Sequence, residues 1–252
     1  MSKLEFIFSF LLIITLNMDI GFSMSRQNQD VPTDTVIVIE NKEKQDLNML
    51  INFVWGKAFN HPTFAVWLEK MDGEFIKTLF ATEAISTGTW PYGEREPGKW
   101  EPKEGHQVRP AALPYWFHKR SNTDSPKIPS HQSPLPDAIT GATPGKDLKL
   151  ITGIDENIPK KFRLLVEVNQ TWDWNEYWTN NKFPEDNDYK TSAQPALVYA
   201  VTINLENTID EYYLNPIGHS HYSGKNGWLY TDLSTLTTAL DIIKKLKVEI
   251  QR

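Results

Sequence analysis

Apolar and polar residues alternate with a period of two along much of the chain. Thr63 to Glu69 and Glu74 to Phe80 both alternate, and Met71-Asp72-Gly73 stands between them. Asp-Gly between two such runs predicts a hairpin, because glycine accepts the positive φ that the turn requires. Further runs at 35–39, 47–55, 162–168 and 195–205 read as strands, and 211–214 as a short one. Leu197, Tyr199, Val201 and Ile203 fall on one face of their run, and Trp67 is expected to be buried. Near the end, Leu236, Ala239, Leu240, Ile243 and Leu246 recur at helical spacing, whereas Val248 and Ile250 alternate. This predicts a short C-terminal helix or helical turn before a final strand, with one extended strand as the alternative. The fold class expected is all-β, an immunoglobulin-like β-sandwich.

The alternation fails between residues 86 and 136, where Gly and Pro are dense and Trp90, Trp100, Tyr115 and Trp116 are interspersed. A segment of this kind reads as a long irregular insertion, placed at about 86–160, within a single domain spanning 35–252. Its tryptophans argue for order, because they need somewhere to be buried.

The N-terminus has a different pattern. Met1-Ser2-Lys3 is weakly basic, Phe6 to Leu16 is almost wholly apolar, and Gly21-Phe22-Ser23 supplies small residues. That order is expected of a cleavable secretory signal over residues 1–23, followed by a flexible lead-in at 24–34. The apolar run falls short of the roughly 20 residues a membrane-spanning helix needs, so the mature chain is not expected to cross a membrane. The location expected is periplasmic or secreted.

Composition narrows the function classes. The sequence has no Cys, which excludes disulfides, a lipid-bearing cysteine, Cys-ligated metal and thiol nucleophiles. Net charge is -6, and no Lys/Arg cluster forms a stripe that could follow phosphates, so a nucleic-acid partner is not expected. There is no Gly-rich phosphate loop and no Gly-x-Ser-x-Gly elbow, so hydrolase or transferase chemistry has no sequence support.

Three local patterns could carry chemistry. Asp137-Ala138-Ile139-Thr140-Gly141-Ala142-Thr143 resembles the signal read by periplasmic flavin transferases, which join the phosphate of FMN to a Thr or Ser hydroxyl. Asp137, Thr140, Gly141 and Ala142 fall on the recognition positions, and Thr143 on the acceptor. Gly and Ala keep such a loop bare enough for close approach. The plain alternative is a turn with Asp137 as its cap and Gly141 supplying a positive φ. Next, His219 and His221 at i and i+2 point the same way in an extended segment and could reach one metal ion. Without a third ligand, a glycine-flanked turn with imidazoles bonded to the backbone explains them better. Finally, Trp172, Trp174 and Trp178 lie beside Asp173 and Asn175, an arrangement that either stacks a flavin or sugar ring or covers the end of the core.

Several segments together resemble a family. They are Phe64-Ala-Val-Trp67 with the Asp72-Gly73 hairpin, Arg109-Pro110 to Trp116, Asp137 to Pro144, Val166-Glu-Val-Asn169, Gln194 to Tyr199, Pro216-Ile-Gly-His219, and Asp232-Leu-Ser234 with Leu236 to Asp241. In this order they are similar to the bacterial predicted periplasmic proteins called domain of unknown function 2271, from about residue 35 onward. The resemblance implies an extracytoplasmic β-domain. It also implies a flavin transferase and a membrane electron-transfer protein as partners, because the genes of that family tend to lie near theirs. The resulting expectation is flavin-dependent extracytoplasmic electron transfer with FMN on Thr143. The alternative is a cofactor-free ligand- or protein-binding module that uses the aromatic segment 86–116.

Overall fold

A computed structural model of the chain describes residues 35–39, 47–91, 93–96, 99–121, 128–135, 139–141 and 143–252. The expected signal segment and lead-in, and Asp137 and Ala142 of the acceptor motif, lie outside the described residues. In chain order the elements are β1 (Thr35–Ile39), β2 (Asn48–Trp55), β3 (Thr63–Glu69), β4 (Phe75–Thr82), α1 (Glu83–Thr87), β5 (Thr89–Trp90), β6 (Gly93–Glu96), β7 (Lys99–Glu101), β8 (Gly105–His106) and α2 (Pro114–Ser121). Then follow β9 (Ile139–Gly141), β10 (Leu148–Gly153), β11 (Lys161–Asn169), α3 (Asn187–Ser192), β12 (Leu197–Asn204), β13 (Glu211–Tyr213), β14 (Asn215–His219), a 3-10 turn (Thr238–Asp241) and β15 (Ile243–Gln251).

The fold is an all-β sandwich. One sheet has the order β1-β10-β2-β15-β13, and the other β14-β12-β11-β3-β4-β9. Most neighbours are antiparallel, but β1 runs parallel to β10, and β9 parallel to β4. The β3–β4 hairpin turns at Gly73, which has φ 89°. Lys70 N–H donates to the Glu74 carbonyl at 2.8 Å, and the Asp72 carboxylate accepts from Glu74 N–H at 3.0 Å. The carboxylate thus closes the turn locally.

Each strand's alternation is used on two different faces. Phe64, Val66 and Leu68 of β3 enter the core between the sheets, together with Phe53 of β2, Phe162 and Leu164 of β11, and Val248 of β15. Ala65 and Trp67 point the opposite way, into a second core with Leu165, Val198, Leu113, Trp116 and Phe117. The insertion therefore covers the outer face of the second sheet. Every residue of β3 is buried as a result, as expected of a strand covered on both faces. Trp90, Tyr115 and Trp116 are interior, which explains why a Gly/Pro-rich stretch carries so many rings.

A buried carboxyl fixes the insertion in place. Helix α2 opens on Pro114, so Tyr115 and Trp116 carry its first N–H groups, which have no partner within the helix. Glu167 of β11, fully buried, accepts both, at 3.1 and 2.8 Å. Trp116 Nε1 also donates to Thr78 Oγ1 at 3.0 Å. Nearby, Glu69 accepts from Trp67 Nε1 at 2.9 Å and from Arg163 at 3.4 Å. Arg109 lies over the Trp90 ring at 3.6 Å and donates to Gln107 and Thr171.

Two local expectations change. The segment 86–160 contains β10, which pairs with both β1 and β2 in the first sheet, so strands resume well before Phe162. Among the residues expected to be helical near the C-terminus, only Thr238–Asp241 form a turn, and Ile243 and Leu246 belong to β15.

Candidate functional site

The described part of the 137–143 segment lies at the edge of the second sheet. Its Ile139-Thr140-Gly141 forms β9, an edge strand in register with Phe80-Ala81-Thr82. Thr140 is exposed and Gly141 half-buried. Gly141 ends this strand, where the plain alternative placed it in a turn. The chain then runs through Thr143 to Asp147 and enters β10, passing from one sheet to the other.

Three hydrogen bonds fasten this crossover to the last residue of β2 and to the connection that follows it. Thr143 Oγ1 donates to the Pro62 carbonyl at 2.8 Å. The Lys146 carbonyl accepts from Trp55 Nε1 at 2.8 Å, and Asp147 Oδ1 accepts from Trp55 N–H at 3.0 Å. Pro144 is buried, whereas Gly145 and Lys146 beyond it are exposed, and a Cβ built on Gly145 would meet nothing within 4 Å. Thr143 is half-buried with its hydroxyl bonded to Pro62, and the open space at Gly145, two residues on, leaves room for a group carried on that oxygen.

The underlying connection, residues 56–62, is itself held firmly. Gly56 N–H donates to the Ile242 carbonyl at 2.8 Å, and a Cβ on Gly56 would lie 1.9 Å from the Asp241 carbonyl oxygen. The backbones meet too closely there for any side chain. Asn60 N–H donates to Gln170 Oε1 at 2.8 Å, which ties this loop to the one that follows β11. His61 has φ 51° and Trp172 has φ 58°, and both are exposed. Non-glycine residues in the left-handed region are costly and cluster at functional sites. Trp55, Phe59 and His61 form a run of rings, with centroids 4.8 and 5.8 Å apart.

The Trp172-Asp173-Trp174 segment serves mainly as structure. Trp178 is buried, and Trp174 packs edge-on against Tyr189 at 5.7 Å, so these two close the core. Trp172 is the exposed member. Asp173 accepts from Thr238 Oγ1 through Oδ1, while its buried Oδ2 has no hydrogen-bond partner, and burial raises its pKa above the usual carboxyl range. Gln194 bridges this network, donating to Thr238 Oγ1 at 2.6 Å and accepting from Thr237 N–H at 2.7 Å.

The histidine pair lies elsewhere, at the end of β14. His219 Nδ1 is 2.8 Å from the Ser220 carbonyl, and His221 Nδ1 accepts from Ser223 N–H at 3.1 Å. His219 stacks on Tyr230, and His221 on Tyr222. Burial lowers the pKa of His221, with Lys225 adding to the shift. Both rings are thus bonded to backbone groups, and no group of three His, Asp or Glu suited to a metal occurs among the described residues.

Trp55, Phe59 and His61 were missing from the sequence-derived site because 81 residues separate Pro62 from Thr143. The only local signal was a short aromatic loop between two strand runs. No protein-family model matches the chain, and neither a curated protein nor a solved structure matches it.

Proposed function

We propose that this protein works outside the cytoplasm as an electron-transfer β-sandwich, with FMN joined to Thr143 by a phosphodiester. A flavin transferase attaches the cofactor, and a membrane protein exchanges electrons with it. The observation that carries this reading is the position of the Thr143 hydroxyl. Thr143 ends a seven-residue pattern that resembles an acceptor signal and is half-buried, with open space two residues on at Gly145.

The hydrogen bond to Pro62 orients the hydroxyl and leaves the oxygen lone pairs free to attack. A peptide carbonyl does not take the proton, so base catalysis falls to the transferase. In the transfer, Thr143 Oγ forms an ester bond to the phosphorus of an activated flavin mononucleotidyl donor. The donor's phosphoanhydride bond breaks, and the proton leaves with the departing nucleotide. Bound in this way, FMN supplies reversible electron transfer. The chain anchors and orients it. Among the described residues no helix is long and apolar enough to cross a membrane.

The test is co-production with an active flavin transferase in a bacterial periplasm. One FMN per chain, stable to denaturation and absent from Thr143→Ala, supports the proposal. An unlabelled wild-type chain beside a labelled known acceptor refutes it.

A further inference from the structure

The geometry points to the ring run Trp55–Phe59–His61 as the surface that receives the isoalloxazine of a flavin carried on Thr143. This rests on the attachment proposed above and names the ring's binding site, which attachment alone leaves open.

Three features of that end of the sandwich support the assignment. The acceptor segment is bonded to both ends of the 55–62 connection, through Thr143 to Pro62 and through Lys146 and Asp147 to Trp55. Esterification removes the Thr143 O–H and with it the bond to Pro62, so the bonds of Lys146 and Asp147 to Trp55 are what keep a group on the Thr143 oxygen close to this segment. The rings also offer surface at the right depth: Trp55 and Phe59 are half-buried and His61 is exposed. Their inner side continues into the core, because Trp55 packs edge-on against Phe64 at 5.7 Å and Phe53 lies 5.4 Å from Trp55. A planar ligand stacked there would rest on a rigid base. Finally, His61 is held at φ 51° immediately before Pro62, a conformation that costs free energy and is fixed by the neighbouring bonds of Asn60 and Pro62. The imidazole there is exposed, with its ring 5.8 Å from that of Phe59, and takes no part in the core.

The competing surface is Trp172, which is also exposed and lies two residues beyond Gln170, the partner of Asn60. The segment 55–62 is joined to residues 143–147 by three hydrogen bonds. Stacking on aromatic rings quenches flavin emission, so the two surfaces can be told apart.

The experiment uses full-length protein labelled in a periplasm with an active flavin transferase, with intact mass reporting attachment. Flavin emission is read before and after proteolytic release of the labelled peptide, which serves as the unstacked reference. Emission of the folded wild type is expected several-fold below that of its own released peptide. Phe59→Ala and His61→Asn should each raise folded emission toward the reference while mass still shows one FMN. Asparagine tolerates the left-handed backbone, so His61→Asn keeps the loop intact while removing the ring. Equal emission before and after release, or recovery only in Trp172→Ala, would overturn the assignment. A chain without the FMN mass would remove the attachment and the ring site together, and the mass distinguishes that outcome from the others.

Discussion

A threonine hydroxyl donates its proton to one carbonyl and keeps its lone pairs, and this chemistry decides what each substitution at Thr143 should do. Thr143→Ala removes the oxygen that would form the ester, so labelling should vanish. Thr143→Ser keeps the hydroxyl and should retain part of it. Thr140 is an internal control, because it is exposed and carries a hydroxyl but lies at a recognition position, so Thr140→Val should lower yield without moving the label. Peptide mapping reads all three. Trp67 tests the fold at the same scale. It is fully buried against the insertion, and its Nε1 donates to the buried Glu69 carboxylate. Trp67→Ala should cost about 3–5 kcal/mol, seen as a lower urea midpoint with an unchanged slope. Its burial was legible from alternation alone. The second core that buries it was not, because alternation tells which residues share a face and says nothing of what covers that face.

At the scale of elements, Glu167 and α2 make a pH-dependent joint. Burial pushes the Glu167 pKa up to about 8, opposed by the N–H groups of Trp116 and Tyr115. In the unfolded chain the group ionises near the ordinary 4.5. Between those values the folded state holds a proton that the unfolded state lacks. Stability from this group therefore falls as pH rises through the window and levels off above it, by about 1.4 kcal/mol per unit of difference. Glu167→Gln does not titrate, but its amide turns an NH2 toward one of the two helix N–H groups. It should cost about 1–3 kcal/mol at low pH, and the gap to wild type should narrow as pH rises. Urea unfolding of both proteins across the window measures this, and a gap independent of pH would contradict it. Glu167 was not legible as a cap, because it lies 51 and 52 residues from the N–H groups it accepts. Strand β10 escaped for a different reason. Its Leu148-Lys149-Leu150 alternation follows directly on a Gly/Pro-rich stretch, and its partner β1 runs parallel to it, without the tight turn that marks a hairpin. The 3-10 turn at Thr238–Asp241 is short because Ile243 and Leu246, whose spacing suggested a helix, are inward residues of β15 instead.

For the whole molecule, two cores stabilise the second sheet from both sides, while the loop 56–62 holds His61 in a left-handed conformation and Thr143 lies on the crossover bonded to that loop. The sandwich followed from the strand runs, and the pattern proposed as an acceptor lies in seven consecutive residues. The rings beside it were not legible in the sequence, since only the folded chain brings 55–62 and 143–147 together. The most direct test of the account is peptide mass spectrometry of the chain co-produced in a periplasm with an active flavin transferase. The account predicts a single FMN on the peptide containing Thr143, kept through denaturation. A wholly unmodified chain, in cells where a known acceptor is labelled, would contradict it.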